Sequence, residues 1–496
     1  MKKILTTTIL SMTFVMTTQA NNLQIDSVVY NRATNELSFE ISWENAWRIN
    51  AYRDGVWVFA KYKNANSTQW KPVRFSFSGS SSNPSEVGAF RLDDGAIIAA
   101  LRFSDQQQNI PTTRITLTVD SNTVIDFLNP SFKVFGIEMV KTLNGEFYLG
   151  GLARLDDGTS TSFFQESASD DSPALVTRTR TSYTISLGGT SGGTFSASAN
   201  YPNGFLPTLM MKYELTQSQF VDFLNCLTRQ QQEGLFPDLD PSLAKQYIMT
   251  NSATPIDRNG ITYDASQVQP GMPVTFGLDL NNNNIFNESD DGANLACNYL
   301  SVDLGLAYLD WAQLRPMTAM EYEKACRGFD FPILLEKSWG ASTLTQAGGI
   351  LNGGMATEQV DNTGAGLANI DTDLGPLRVG FAANANTNRL TSGGSFFGAM
   401  NLSDNVTEFF HLPLNASSSL SFSSKGDGVL SVDGLTDEAD FMDEFAYIIR
   451  GGSYDTAPEI SHVATIVGIP LLEGQTSTTF NSLGLRGCRG SLPAGY

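Results

Sequence analysis

The chain has 496 residues, with 31 Lys+Arg against 51 Asp+Glu and a formal net charge of −20. That acidity argues against a nucleic-acid or anionic-membrane partner and suits calcium binding or plain solubility. A hydrophobic fraction of 41% and an aromatic fraction of 10% fit a folded chain too long for one typical core, so two domains are expected.

Residues 1–20 read as a secretory signal. Lys2 and Lys3 open it, Ile4 to Met16 is an apolar stretch, and Thr18-Gln19-Ala20 supplies small residues for cleavage. No Cys follows Ala20, which argues against a lipoprotein anchor, and no other run approaches the roughly 18 apolar residues of a membrane span. The expected location is therefore secreted, periplasmic or cell-surface, with no transmembrane segment. Four cysteines, Cys226, Cys297, Cys326 and Cys488, could pair in such a compartment in three ways.

Residues 22–130 alternate apolar and polar side chains: Leu37, Phe39, Ile41 and Trp43, then Val56, Val58 and Ala60, then Val73, Phe75 and Phe77, then Ile115, Leu117 and Val119. This period predicts an all-β sandwich with one buried face per sheet. No catalytic constellation falls within it. Residues 126–133 read as a linker to a second unit, 134–496. Asn144-Gly145 between two β-like runs predicts a hairpin, and 156–173 and 187–204 read as loops.

Three helix starts follow. Thr216 with Gln219, and Thr318 with Glu321, have the spacing of capping boxes, and Ser301 can cap a helix between them. Residues 340–398 are rich in Gly, Asn and Thr and predict a long loop region. Asp279 through Asp290 carries oxygen side chains at Asp279, Asn281, Asn283 and Asp290, and the Ile285 carbonyl falls at the seventh position. That is the ligand spacing of a calcium loop, with Asn284 where a glycine is usual; the alternative is a polar insertion.

Near the C-terminus, a short apolar run, Tyr447 to Ile449, meets Arg450-Gly451-Gly452-Ser453-Tyr454. Paired glycines mark a sharp bend or a close backbone approach. Met139-Val140 with Asn144-Gly145-Glu146-Phe147, Lys212-Tyr213-Glu214-Leu215-Thr216, Arg315-Pro316-Met317-Thr318, Ala325-Cys326-Arg327-Gly328, Trp339-Gly340, Asn401 to Phe409, Arg450 to Tyr454 and Leu483-Gly484-Leu485-Arg486 follow in one order. This succession resembles the formylglycine-generating enzyme (sulfatase-modifying factor) family over about residues 134–496.

The resemblance implies an α+β, loop-rich, C-type-lectin-like fold behind the β-sandwich. Family members oxidise a target cysteine with two copper-binding cysteines. Those slots fall here at Thr456 and Ser461, neither a ligand for Cu(I), so no copper is expected. With only His411 and His462, a three-histidine iron site is excluded as well. The resemblance further implies structural calcium at Asn401, the carbonyls of Asp404 and Val406, and Glu408. It implies a Cys326–Cys488 disulfide, leaving Cys226 and Cys297 as a second bridge or as free thiols. Arg450, Gly451, Gly452, Ser453, Tyr454 and His462 would line the cleft.

The expected function is an exported, non-catalytic binding or surface-interaction protein, with a protein or glycan ligand outside the cytoplasm. The rivals are an enzyme of this family with an altered site, and a structural subunit of a secretion or motility assembly.

Overall fold

Val56-Trp57-Val58-Phe59-Ala60 is apolar at every position, and its strand is buried on both faces. The computed structural model describes residues 22–496 apart from 77–78, 93, 104, 124–128, 152–162, 168–169, 171, 188–189, 241, 244, 413–418, 442–444, 473–476, 491 and 493–495. The expected signal at 1–20, Phe77, and parts of the expected linker and of the loops at 156–173 and 187–204 lie outside the described residues.

Strand β3 (Tyr52–Lys63) separates two cores. Val56, Val58 and Ala60 join Leu37, Phe39, Ile41 and Trp43 of β2 (Glu36–Ile49) on one side. Trp57 and Phe59 face the other way. Phe59 meets the Trp311 ring at 5.0 Å, and the Trp57 indole donates to Ala312 O at 3.0 Å. A two-residue alternation identifies one face of a strand and is silent on a second buried face.

The sheet built on β3 has 12 strands. On one side lie β2, Gln106–Thr118 and, at the edge, β1 (Gln24–Asn31). On the other, Ser131–Lys141 pairs antiparallel with β3 from Asp54↔Val140 to Lys63↔Ser131. Leu209–Met211, Gly487–Arg489 and Arg315–Pro316 then extend it. The sheet therefore runs straight through residues 131–134, where a linker and a new unit were expected.

The expectation of an α+β, C-type-lectin-like fold is corrected by this architecture. The chain is mostly β, at 33% strand and 10% helix, with large antiparallel sheets. Four α-helices occur among the described residues: α1 (Gln217–Leu224), α2 (Arg229–Leu235), α3 (Val302–Trp311) and α4 (Ala319–Arg327). None is long and apolar enough to cross a membrane. Segments such as Leu209–Met211 and Gly487–Arg489 are too short for a periodic signal. Leu209–Met211 becomes a strand on the free edge of the long Ser131–Lys141, and Gly487–Arg489 then adds to Leu209–Met211.

The expected helix caps are present. Gln219 N donates to Thr216 Oγ1 at 3.3 Å, Leu304 N to Ser301 Oγ at 3.2 Å, and Glu321 N to Thr318 Oγ1 at 3.1 Å. The Asn144-Gly145 hairpin is not formed. Phe147–Leu149 pairs with Ala174–Val176 instead, because Leu209–Met211 takes the edge of Ser131–Lys141. A second sheet orders Val467–Leu472, Phe445–Arg450, Thr407–His411 and Leu483–Gly484, which sets Glu408 opposite Arg450.

Candidate functional site

Arg450 ends its strand fully buried. Its Nη2 donates to Glu323 Oε1 and to Val463 O, each at 2.6 Å, and its Nη1 donates to Ala319 O at 3.1 Å. The guanidinium also lies 4.8 Å from the Tyr322 ring centroid. These partners come from α4 and from Val463, so Arg450 ties its own strand of the second sheet to two other segments. The two glycines serve the same packing. Gly451 has φ 79°, and a Cβ there would approach Leu402 O to 2.9 Å. A Cβ on Gly452 would meet Ser461 Cβ at 2.6 Å and Ser403 O at 2.7 Å.

The polar groups that follow are engaged locally. Ser453 Oγ donates to Asp455 Oδ1 at 2.6 Å, and Thr456 Oγ1 accepts from Ser453 N at 2.8 Å. Ser461 Oγ donates to Pro458 O at 2.6 Å, and Tyr454 OH to Asn481 O at 2.8 Å. His462 is buried, and burial and the nearby Lys337 charge push its imidazole down to about 4, leaving it neutral near pH 7. Three cavities of about 270, 540 and 430 Å³ lie elsewhere, and no residue of 450–462 lines them.

The residues of the expected calcium set, Asn401, Asp404, Val406 and Glu408, are all buried, and the side-chain oxygens of Asn401, Asp404 and Glu408 are engaged within the protein. Asn401 Oδ1 accepts from Gly380 N at 2.7 Å, and Asp404 Oδ2 accepts from Asn369 N at 3.0 Å. Both oxygens of Glu408 face Arg486 Nε, at 3.0 and 3.3 Å. Glu214 joins them, accepting from Asn405 Nδ2 at 2.7 Å and from Val406 N at 3.0 Å. Burial pushes Glu408 up to about 7 against the opposing pull of Arg486, and Asp404 up to about 6. Burial and the Glu408 charge hold Glu214 well above the carboxylate range. A cation placed here would have to share Glu408 with Arg486. Glu214 was not singled out as a site residue. The signal was its place between Tyr213 and Leu215 at a helix entry, where a carboxylate has little access to water.

The Asp279 loop is held by its own hydrogen bonds, which a calcium loop and a polar turn would share. Asp279 accepts from Asn283 N and Asn284 N, each at 3.0 Å. Asn281 Oδ1 accepts from Asn283 N at 3.0 Å and Asn283 Oδ1 from Ile285 N at 2.7 Å. Asn284 takes φ 67°, the left-handed turn that Asn tolerates in place of glycine. Lys245 Nζ bonds to Asp279 Oδ2, and to Asn282 Oδ1 at 2.8 Å.

Two clusters escaped the sequence reading. Lys212 Nζ donates to Asp54 Oδ2 at 3.0 Å and to Glu138 Oε2 at 3.3 Å, all three buried, which ties three neighbouring strands of the large sheet. Carboxylate oxygens of Asp310, Asp427 and Glu438 lie within 4.8 Å of one another. Each cluster joins residues far apart in the chain, which no local motif can reveal.

The expected Cys326–Cys488 disulfide is corrected. All four cysteines are free and buried. Cys488 lies in a sheet strand with its sulfur 2.9 Å from Arg315 Nη1, whereas Cys326 lies in the last turn of α4 beside Tyr322. Cys226 lies 4.0 Å from Lys133 Nζ, and the Cys297 thiol points to Asn298 O.

No protein-family profile and no curated protein matches the chain. Among solved structures it is similar to PvdO from Pseudomonas aeruginosa, at 13% identity over 72% of this chain and 95% of that one, with a TM-score of 0.31. It is similar also to the pilus backbone RrgB from Streptococcus pneumoniae, at 12% identity over 35% of this chain and 71% of that one, with a TM-score of 0.14. At such scores neither likeness carries an argument.

Proposed function

We propose that this chain is an exported, non-catalytic binding protein that presents the loop Phe331-Pro332-Ile333-Leu334 to a protein partner outside the cytoplasm. One observation carries the reading. Phe331, Ile333 and Leu334 stand 52%, 49% and 48% exposed within four residues, on a loop whose two ends are pinned. Arg327, at the end of α4, donates to Glu336 Oε1 at 2.5 Å across the base of the loop. The Phe331 ring meets Tyr148 at 4.8 Å. Apolar side chains held on a fixed frame lose little conformational entropy when a partner covers them.

The Arg450–His462 segment supports the same reading from the other side. The hydroxyls of Thr456 and Ser461 stand at the slots where the resemblance would place thiolate ligands, and their hydrogen bonds are spent within the segment. The motif order that resembles the sulfatase-modifying factors then reads as a retained frame put to recognition. The signal-like start supports export.

Capture from the native envelope tests this. Wild-type protein should retain a partner that the Phe331→Asp/Ile333→Asp double variant loses, at unchanged thermal stability. Equal capture by both proteins overturns the assignment of the loop. Turnover of a cysteine peptide with copper and oxygen overturns the non-catalytic reading.

A further inference from the structure

We infer that the loop Asp279–Asp291 is a calcium site in which Asp291, beyond the expected Asp290, supplies the closing carboxylate and the Lys245 ammonium competes with the bound ion. The loop's own hydrogen bonds would form in a merely polar turn as well. The independent observation is Asp291. It is 0% exposed, its Oδ2 accepts from Glu288 N at 2.7 Å, and its Oδ1 has no partner. A buried carboxylate oxygen left bare costs stability unless a hydrogen bond or a cation meets it.

That oxygen belongs to a carboxyl facing the loop. It lies against the N–H groups of Glu288 and Asn281 and close to the carboxylates of Asp279 and Asp290. Asp279, Asn281 and the closing Asp291 therefore converge from both ends of one loop. Asn281 and Asn283 each spend one lone pair of the side-chain oxygen on a backbone N–H, which leaves a second for a metal. Neutral amide oxygens mixed with carboxylates, on a turn that can adjust, suit calcium better than magnesium, which demands a tight octahedron.

Lys245 lies on the same carboxylate. Its ammonium contacts Asp279 Oδ2, Asn282 Oδ1 and Asn284 Oδ1, so it neutralises the loop in the absence of a metal. A bound calcium and this ammonium would repel each other across Asp279, and removing the lysine charge should tighten the site.

Tyr247 supplies the readout, since its OH donates to Asp279 O at 2.7 Å and its ring can sensitise a bound terbium ion. Chelator-stripped full-length protein is titrated with terbium and then back-titrated with calcium. Wild type should give tyrosine-sensitised emission that calcium displaces, and Tyr247→Phe should lose most of it. Asp291→Asn should weaken calcium by about tenfold or more, as loss of a ligand or its support commonly does. Asp290→Asn should change it little, and Lys245→Met should tighten it. If Asp291→Asn does not fold, Asn283→Ala, on the exposed side of the loop, carries the same expectation of weakened binding. The inference is overturned if wild type gives no displaceable emission, if Tyr247→Phe keeps it, or if Asp290→Asn abolishes binding while Asp291→Asn does not. None of these outcomes depends on the Phe331 loop.

Discussion

Arg450 illustrates how one residue can be read two ways. Beside two glycines at a strand end, it suggests the floor of a cleft. In the structure its guanidinium is a buried cross-link that holds Glu323 at 2.6 Å. Replacing it with Met would strip Glu323 Oε1 of this partner in the interior, while Arg327 still holds Oε2 at 2.7 Å. Loss of one member of a buried pair costs about 3–5 kcal/mol, and Arg450→Met should lower the denaturation midpoint accordingly. The variant that tests the glycine pair is Gly452→Ala. The added methyl would lie 2.6 Å from Ser461 Cβ and 2.7 Å from Ser403 O, so destabilisation of about 1–3 kcal/mol is expected. A neutral result in equilibrium unfolding would show that the segment can relax and is not a packed clasp.

The helices show what an element owes to its own sequence. Thr318 Oγ1 accepts from Glu321 N at 3.1 Å and donates to Pro202 O at 2.8 Å. Thr318→Ala should cost about 1–2 kcal/mol in chemical denaturation. Such caps were legible because every partner lies within four residues. The Asn144-Gly145 turn has an equally local signature, yet its hairpin lost to a strand some sixty residues away, as Leu209↔Lys141 pairing records. Strand β3 was legible on one face only, since Trp57 and Phe59 pack on helices and loops of the second half. The same limit hid Glu214 and Lys212. Each owes its setting to burial by distant residues, and the motif containing Lys212 and Glu214 gave no hint that Asp54 or Glu408 would face them. The loop at 279–290 was legible as a turn because its hydrogen bonds are local, running from Asn283 N and Asn284 N to Asp279.

At the scale of the whole molecule, one sheet shared between two cores makes the N-terminal strands part of the frame that holds the C-terminal loops. Buried acids are built into that frame. Burial pushes Glu138, Asp310 and Glu408 up to about 7 and Asp404 up to about 6. A carboxyl raised above its unfolded value adds stability that is complete below the unfolded pKa and is lost as pH rises through the folded one. His462, lowered to about 4, acts in the opposite sense, its contribution being lost as pH falls. Four carboxyls outweigh one imidazole, so thermal stability should be higher at about pH 5 than at about pH 7. A melt that rises steadily from pH 5 to 7 would mean that these acids are ionised and matched by cations in the folded chain.

The proposal that recognition belongs to the pinned loop is tested most directly by site-specific crosslinking. A photoreactive benzoylphenylalanine is placed at Ile333 and, as a control, at Val432, which is 69% exposed on another surface loop. Irradiation in the native envelope should yield one discrete adduct from position 333 and none from 432. The same adduct from both positions, or none from 333, would contradict a binding protein that works through Phe331–Leu334.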